Sequence, residues 1–377
     1  MQKRKWITED GDGILQRKKT ISSRSSRKSL SGNMSMNTQV KKTYDAVDIA
    51  KLFFCICIVA SHTRLLSYIP GGYRGVINAV LIRASVPFFF IASGFFLYNN
   101  VQKRGAGPEC RRYILRMLPP LIVFESLGNI MYIAFLLYQG KKLSAICRLL
   151  LWQIIFYPRS SMWYLQACIV GCLLLYVFFR WKIPMIWPVL LGLPLFGIAL
   201  LFNNYRFVCD HIGIGRYADA ILKRCYSLRN GVFYGFLFLA IGGAIAEYHL
   251  IDRIRGIFLW ISLILGCLLQ TAEFQMLLGK KHADDGSLFA CQIIVVPLIF
   301  IALCQCKKKF KYSAVCRRYS TGIFFLQKNV QYVLECLATV MAIELAAGWK
   351  FFGVVSISVA TCAVCYRYFP RLGKLLQ

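Results

Sequence analysis

Beyond residue 43 the chain alternates between long apolar runs and short polar breaks rich in lysine and arginine. A helix needs about 20 apolar residues to cross a bilayer core of about 30 Å. Ten such runs predict spans at 46–67, 76–98, 117–138, 162–180, 184–203, 231–248, 256–277, 287–304, 320–343 and 349–367. A shorter apolar run at 149–157 reads as re-entrant or interfacial. The expected fold is all-α, a polytopic membrane protein of about ten transmembrane helices.

Residues 1–43 are different material: polar, Ser-rich and basic, with no apolar core of a signal peptide. They predict a disordered cytoplasmic tail that anionic lipid would attract. Met34 or Met36 offers an alternative start that leaves a short lead into the first span. The expected division is a tail at 1–43, a membrane domain at 44–370 and a second cytoplasmic tail at 371–377.

Composition agrees with the pattern. Of 377 residues, 58% are hydrophobic and 16% charged, against about half and about a quarter in soluble domains. The formal charge of +30 invites a nucleic-acid reading, but its distribution follows the membrane instead. With ten spans, 29 of the 46 Lys and Arg residues fall on the side of the N-terminus, and Lys51, Arg83 and Lys328 are the three placed well inside spans. The positive-inside rule then places both termini in the cytoplasm of a multi-pass protein of the cell (plasma) membrane. Membrane lipids are expected partners, and nucleic acid is not. The sixteen cysteines lie mostly within spans, where they serve as small polarizable hydrophobes. Cys304, Cys306 and Cys316 have no His at ligand spacing, so no metal site is expected. Cys209 and Cys225 share the predicted outer loop 204–230, where a disulfide is possible.

Ionisable groups inside a bilayer are costly and default to a functional reading. Lys51 and His62 lie in the first span with ten residues between them. That spacing puts both on one helix face, about 16 Å apart along the axis. A coenzyme A thioester has about that reach, with its phosphates at Lys51 and its reactive carbonyl at His62. Lys51 also reads as a snorkelling lysine or a partner of Asp48, and His62 as an interfacial histidine. In the second span Arg83 precedes Pro87 and the pair Ser93-Gly94; it needs a wet cavity or a partner.

These residues resemble the acyltransferase-3 family of integral membrane acyltransferases. The resemblance rests on the basic residue, ten residues and histidine of the first span, and on Val86–Phe96, which reads close to VPFFFxxSGFF. Arg111-Arg112-Tyr113-Ile114-Leu115-Arg116-Met117-Leu118-Pro119-Pro120 resembles the basic, proline-ended approach to the third span. Met162-Trp163-Tyr164-Leu165 and Arg229-Asn230-Gly231 through Gly235, with Gly242, resemble later signatures. Two departures stand out: Lys51 where arginine is usual, and Gln327 where many members carry histidine. The lysine keeps the charge but lacks the bidentate fork for phosphate.

The resemblance implies transfer of an acetyl or other short acyl group from cytoplasmic acyl-CoA to a hydroxyl of a cell-envelope glycan or glycolipid, with acyl-CoA as co-substrate. It also implies the membrane module alone, with no SGNH-type domain after the last span. His62 is the candidate base or transient acyl carrier. Arg83 is the candidate for stabilising developing negative charge; the carboxylate that orients the imidazole is open among Glu125, Glu247, Glu273, Glu335 and Glu344, with Glu125 the choice because the third span adjoins the basic approach, or alternatively a partner of Arg83. Arg111, Arg112 and Arg116 would join Lys51 on the CoA phosphates, or serve only as positive-inside charge. Trp163, Tyr164 and Ser93 would line the acceptor side. A transporter or exporter of the same fold, for a glycan or small amino acid, is the alternative.

Overall fold

A computed structural model describes residues 43–68, 71–138, 140–147, 161–225, 227–280 and 287–376. The basic tail, its alternative starts and the apolar run at 149–157 lie outside the described residues. Among these, ten helices run 12 residues or more. They are α1 (Asp45–His62), α2 (Ser85–Arg104), α3 (Ala106–Tyr138), α4 (Trp163–Arg180) and α5 (Ile186–Phe202), then α6 (Phe236–Glu247), α7 (Ile257–Leu277), α8 (Gln292–Gln305), α9 (Ser313–Val340) and α10 (Ala347–Tyr368).

The architecture is all-helical among the described residues, yet the span count does not carry over whole. Five segments are long and apolar enough to cross a membrane by length and composition: Ile77–Arg104, Ala106–Ala134, α4, α7 and α10. The apolar helices Ile186–Phe202, Gly231–Glu247 and Gln292–Gln305 are shorter. Helix α1 carries Asp45, Asp48 and Lys51 within 18 residues, which polar partners from α9 and its approach compensate.

Three boundaries differ from the hydrophobic pattern for local reasons. The first helix stops at His62, where Thr63 turns its hydroxyl back onto Val59 O at 2.9 Å and Arg64 adopts a φ of 57°. The second span begins as a π-helical turn, Ile77–Ile82, and re-forms as α2 at Ser85. Pro87 therefore falls in the first turn of α2, where its missing N–H costs little. The third helix starts at Ala106, so Arg111, Arg112 and Arg116 ride on a rigid helix and are exposed. Only Gly105, at φ 83°, separates it from α2, a left-handed conformation that glycine adopts without strain. The predicted outer loop 204–230 contains two helices, Arg206–His211 and Gly215–Cys225. Cys209 and Cys225 are both free thiols, so the disulfide considered there is not formed.

The core is centred on α2, which packs most extensively on α6. Small residues set that crossing: a methyl at Gly94 would strike the Leu239 carbonyl, and one at Gly242 the Ile91 carbonyl. Such close backbone approach is the usual means of membrane helix association. The other main contact runs between α1 and α9, with α10 behind α9. At the N-terminal end of α1, Asp45 accepts from Phe310 N at 3.0 Å and Lys309 reaches Thr43 Oγ1 at 2.8 Å. The chain ends in a short helix, Pro370–Leu375, whose following Leu376 is buried and accepts from Tyr366.

Candidate active site

Where α1 ends, a cavity of about 220 Å³ opens between α1, the start of α2, the start of α4, the segment before α6 and the middle of α9. His62 and Arg83 line it, as do Trp163 and Tyr164. So do five residues that the sequence had not marked as site residues: Ser161, Arg229, Tyr234, Ser287 and Lys328.

His62 is held once at its ring and once at its backbone. Its Nε2 lies 3.2 Å from Ser161 Oγ, and the His62 carbonyl accepts from Gln331 Nε2 at 3.3 Å. The second bond fixes the frayed last turn of α1 to α9; the first places a hydroxyl within proton-transfer distance of the ring.

Two π-helical turns aim the cationic groups. Asn230 caps the turn Gly231–Gly235 by accepting from Val232 N and Phe233 N at 3.0 and 3.1 Å. This sets Arg229 before the turn and Tyr234 within it against the same space. The Arg229 guanidinium lies 5.3 Å from the centroid of the Trp163 ring and donates to Ser287 Oγ at 2.8 Å. Such stacking suits the flat guanidinium. The Arg83 carbonyl, exposed where the other π turn ends, accepts from Gln292 Nε2 at 2.8 Å. The same amide donates to the Ser287 carbonyl at 3.1 Å, so one buried glutamine ties Arg83 to the residue that holds Arg229. Glu273 anchors the segment further by accepting from Ala290 N and Cys291 N at 2.6 and 2.8 Å. From α9, Lys328 reaches Gln331 Oε1 at 3.3 Å and lies over the Tyr332 ring.

The remaining predicted residues fall outside this cavity lining. Ser93 sits behind it, its Oγ 3.0 Å from Tyr164 Oη, so it positions an aromatic wall. Glu125 is buried on α3, with Asn129 Nδ2 at 3.4 Å from its carboxylate, and is not among the lining residues. Lys51 is paired with Asp48 at 3.1 Å, and Asp48 also takes Arg317 at 2.8 Å. Gln327, at the position where histidine is common, is buried against the Phe324 carbonyl, while its neighbour Lys328 faces the cavity. Among the described residues no group of three or more His, Cys, Asp and Glu is placed to hold a metal ion.

The model of a family described as an acyltransferase domain matches residues 44–367, the whole helical assembly with its cavity. The chain belongs to that family, the acyltransferase-3 family of membrane acyltransferases. Three curated relatives carry other names. A serine/alanine racemase of Enterococcus gallinarum is 25% identical over 268 residues, covering 67% of this chain and 36% of the relative. Two amino-acid racemases of Enterococcus faecalis are 24% and 23% identical; the matches cover 55% and 73% of this chain but 28% and 40% of theirs. The chain thus spans about a third of the length of the curated relatives it matches. No solved structure matches.

Sequence reasoning missed Arg229 and Lys328 as site residues although both carried a signal. Arg229 stands directly before a Gly-rich apolar run, and Lys328 is a cation within a predicted span. Ser161 carried none, because a serine before Met162-Trp163 is unremarkable until the fold sets it against His62.

Proposed function

We propose that this acyltransferase moves an acetyl or other short acyl group from acyl-CoA to a hydroxyl acceptor, an envelope glycan or glycolipid, with His62 as the base. The observation that carries the reading is one cavity in which an imidazole, a hydroxyl and three cationic side chains meet beneath an aromatic wall. His62 removes the acceptor proton as its oxygen attacks the thioester carbonyl. The tetrahedral intermediate bears negative charge on the former carbonyl oxygen, beside Arg83, Arg229 and Lys328. Its collapse breaks the carbon–sulfur bond, and His62 returns the proton to the departing thiolate.

Acyl-CoA would approach from the end of α1 that holds Lys51. Arg111, Arg112, Arg116 and Arg317 are the exposed cations proposed for its phosphates, with Lys51 contributing through its pair with Asp48. The positive-inside pattern supports a cell-membrane protein with both termini cytoplasmic.

His62→Ala at equal membrane abundance should lower acyl transfer by about 10²- to 10⁴-fold, the contribution of a general base. Mass analysis of envelope glycans, with and without the variant, reads the outcome. Transfer at the unaltered rate would leave the imidazole no catalytic part. A second reading, passage of a small amino acid through the same module, is favoured by the amino-acid racemase names of all three relatives. It expects amino-acid flux that survives His62→Ala.

A further inference from the structure

We infer that Ser161 is the acyl carrier of this site: its hydroxyl takes the acyl group from the thioester as a seryl ester and then passes it to the acceptor. Resting on the reading of His62 as the base of acyl transfer, this assignment changes only which oxygen first attacks the thioester.

Ser161 Oγ lies 3.2 Å from His62 Nε2, and both residues line the cavity. A hydroxyl within hydrogen-bond reach of an imidazole is the arrangement of an activated serine nucleophile. In the tautomer that carries its proton on Nδ1, the ring has its accepting lone pair on Nε2, the atom that meets Ser161. An acceptor hydroxyl that used His62 directly would first have to displace the serine, whereas the serine itself is already in place. The base is held from behind, because the Gln331 amide donates to the His62 carbonyl at 3.3 Å and to Glu335 Oε1 at 2.9 Å. Ser161 is buried and stands two residues before α4. Charge that develops on the oxygen of an acyl group attached there lies at the positive end of an 18-residue helix.

Size favours two displacements over one. An apolar cavity of about 150 Å³ takes up a benzene molecule. The cavity of about 220 Å³ bounded by the described residues therefore admits the acyl end of a thioester or one sugar ring, and not both together. A carrier lets donor and acceptor use the space in turn. In the first step Ser161 Oγ bonds to the thioester carbonyl carbon while its proton passes to His62 Nε2. The carbon–sulfur bond breaks, and the proton goes on to the thiolate, which leaves as the CoA thiol. In the second step the acceptor oxygen gives its proton to His62 as it bonds to the ester carbonyl carbon. The bond from that carbon to Oγ breaks, and Ser161 recovers the proton. Nothing beyond thioester and acceptor is consumed.

The test uses the full chain in lipid nanodiscs with acetyl-CoA or succinyl-CoA and no acceptor. Free thiol should appear in a burst of about one equivalent per protein, the mark of a covalent intermediate, and mass spectrometry of the digested protein should place the added acyl mass on Ser161. Ser161→Ala should take no label, and Ser161→Cys, which keeps a nucleophile at the same place, should take it as a thioester. In cells, Ser161→Ala and His62→Ala should each lower glycan acylation by about 10²- to 10⁴-fold, and the double variant little further, because the two groups act as a unit. Thermal unfolding of each variant separates lost chemistry from lost structure. Label on His62 or on another residue, no label from either thioester, or transfer by Ser161→Ala at the unaltered rate overturns the inference. Transfer lost in His62→Ala but kept in Ser161→Ala would sink the carrier and leave the base standing. A seryl ester that forms but reaches no envelope glycan would keep the carrier and sink the proposed acceptor.

Discussion

Replacing Asp48 by asparagine should destabilise the protein far more than removing its partner lysine. Asp48 lies between two cations, Lys51 at 3.1 Å and Arg317 at 2.8 Å. The side chains of Asp48 and Lys51 are 11% and 17% exposed, whereas that of Arg317 is 55% exposed. Removing one member of a buried pair costs about 3–5 kcal/mol, because a buried charge is left behind. The exposed arginine adds about 0–1 kcal/mol at most. Lys51 keeps the Phe96 ring, 5.1 Å from its nitrogen, in both proteins, so that contact cancels from the difference. The net loss for Asp48→Asn is then about 3–5 kcal/mol. By contrast, Lys51→Met leaves Asp48 bonded to Arg317 and sets an apolar chain beside Phe96, at a cost of about 0–1 kcal/mol. The double variant leaves no buried charge without a partner and should recover most of the loss. Heating in detergent with a thiol-reactive fluorophore reports the transition, because Cys55 on the same helix is fully buried. The order expected is Asp48→Asn lowest, the double variant higher, and Lys51→Met near the unmodified protein. Equal melting of Asp48→Asn and the unmodified protein, or equal losses for the two single variants, refutes the reasoning. CoA titration of the stable Lys51→Met variant then shows whether the lysine serves the ligand as well as the helix.

Other outcomes follow from the fold. Gly242→Val sets a Cβ 2.8 Å from Phe95 N, well inside the optimum of about 3.5–4.0 Å; it should cost about 1–3 kcal/mol or more, read as a lower thermal midpoint, and Gly197→Val, which meets nothing within 4 Å, should not. The hydrogen bond from Phe310 N holds the Asp45 carboxyl below its ordinary value of 3.8. Its contribution is therefore complete above 3.8 and lost as pH falls through the lower folded value, so hydrogen exchange at the Phe310 amide should accelerate only in that acid range, and at every pH in Asp45→Ala. Reporter fusions at residues 140 and 280 should read outside and those at 105 and 310 inside; the reverse at 310, beside Lys307, Lys308, Lys309 and Lys311, would overturn the proposed orientation.

Most of the helices were legible because ten apolar runs leave little choice of secondary structure, and each run overlaps one of α1 to α10. Their ends were less so. A hydropathy window cannot see Thr63 folding onto Val59, a π turn at Ile77, or Arg111 continuing a helix that already carries Pro119 and Pro120. Of the site, His62 and Arg83 stood out as ionisable groups inside apolar runs, and Trp163 with Tyr164 through the resemblance. The carboxylates were another matter. Glu125, Glu247 and Glu273 look alike in sequence, yet Glu247 accepts from Met185 N and Tyr98, and Glu273 from Ala290 and Cys291. Which carboxylate serves a loop and which serves a ring is a matter of tertiary contact, and no spacing along one helix encodes it.

The termination of α1 at His62 bears on how matter crosses this protein. Eighteen residues span about 27 Å at 1.5 Å per residue, close to the thickness of the hydrocarbon core. On the proposed orientation, the imidazole and the basic cluster around Lys309 and Arg317 then stand at opposite ends of α1, towards opposite leaflets. For a donor that stays beside the basic cluster and an acceptor that stays outside, the acyl group is the only atom set that needs to change sides. The thioester bond then supplies the driving force for a vectorial step without a gate that opens to both faces. Enzyme and exporter, on this geometry, differ only in whether the cargo travels attached to something.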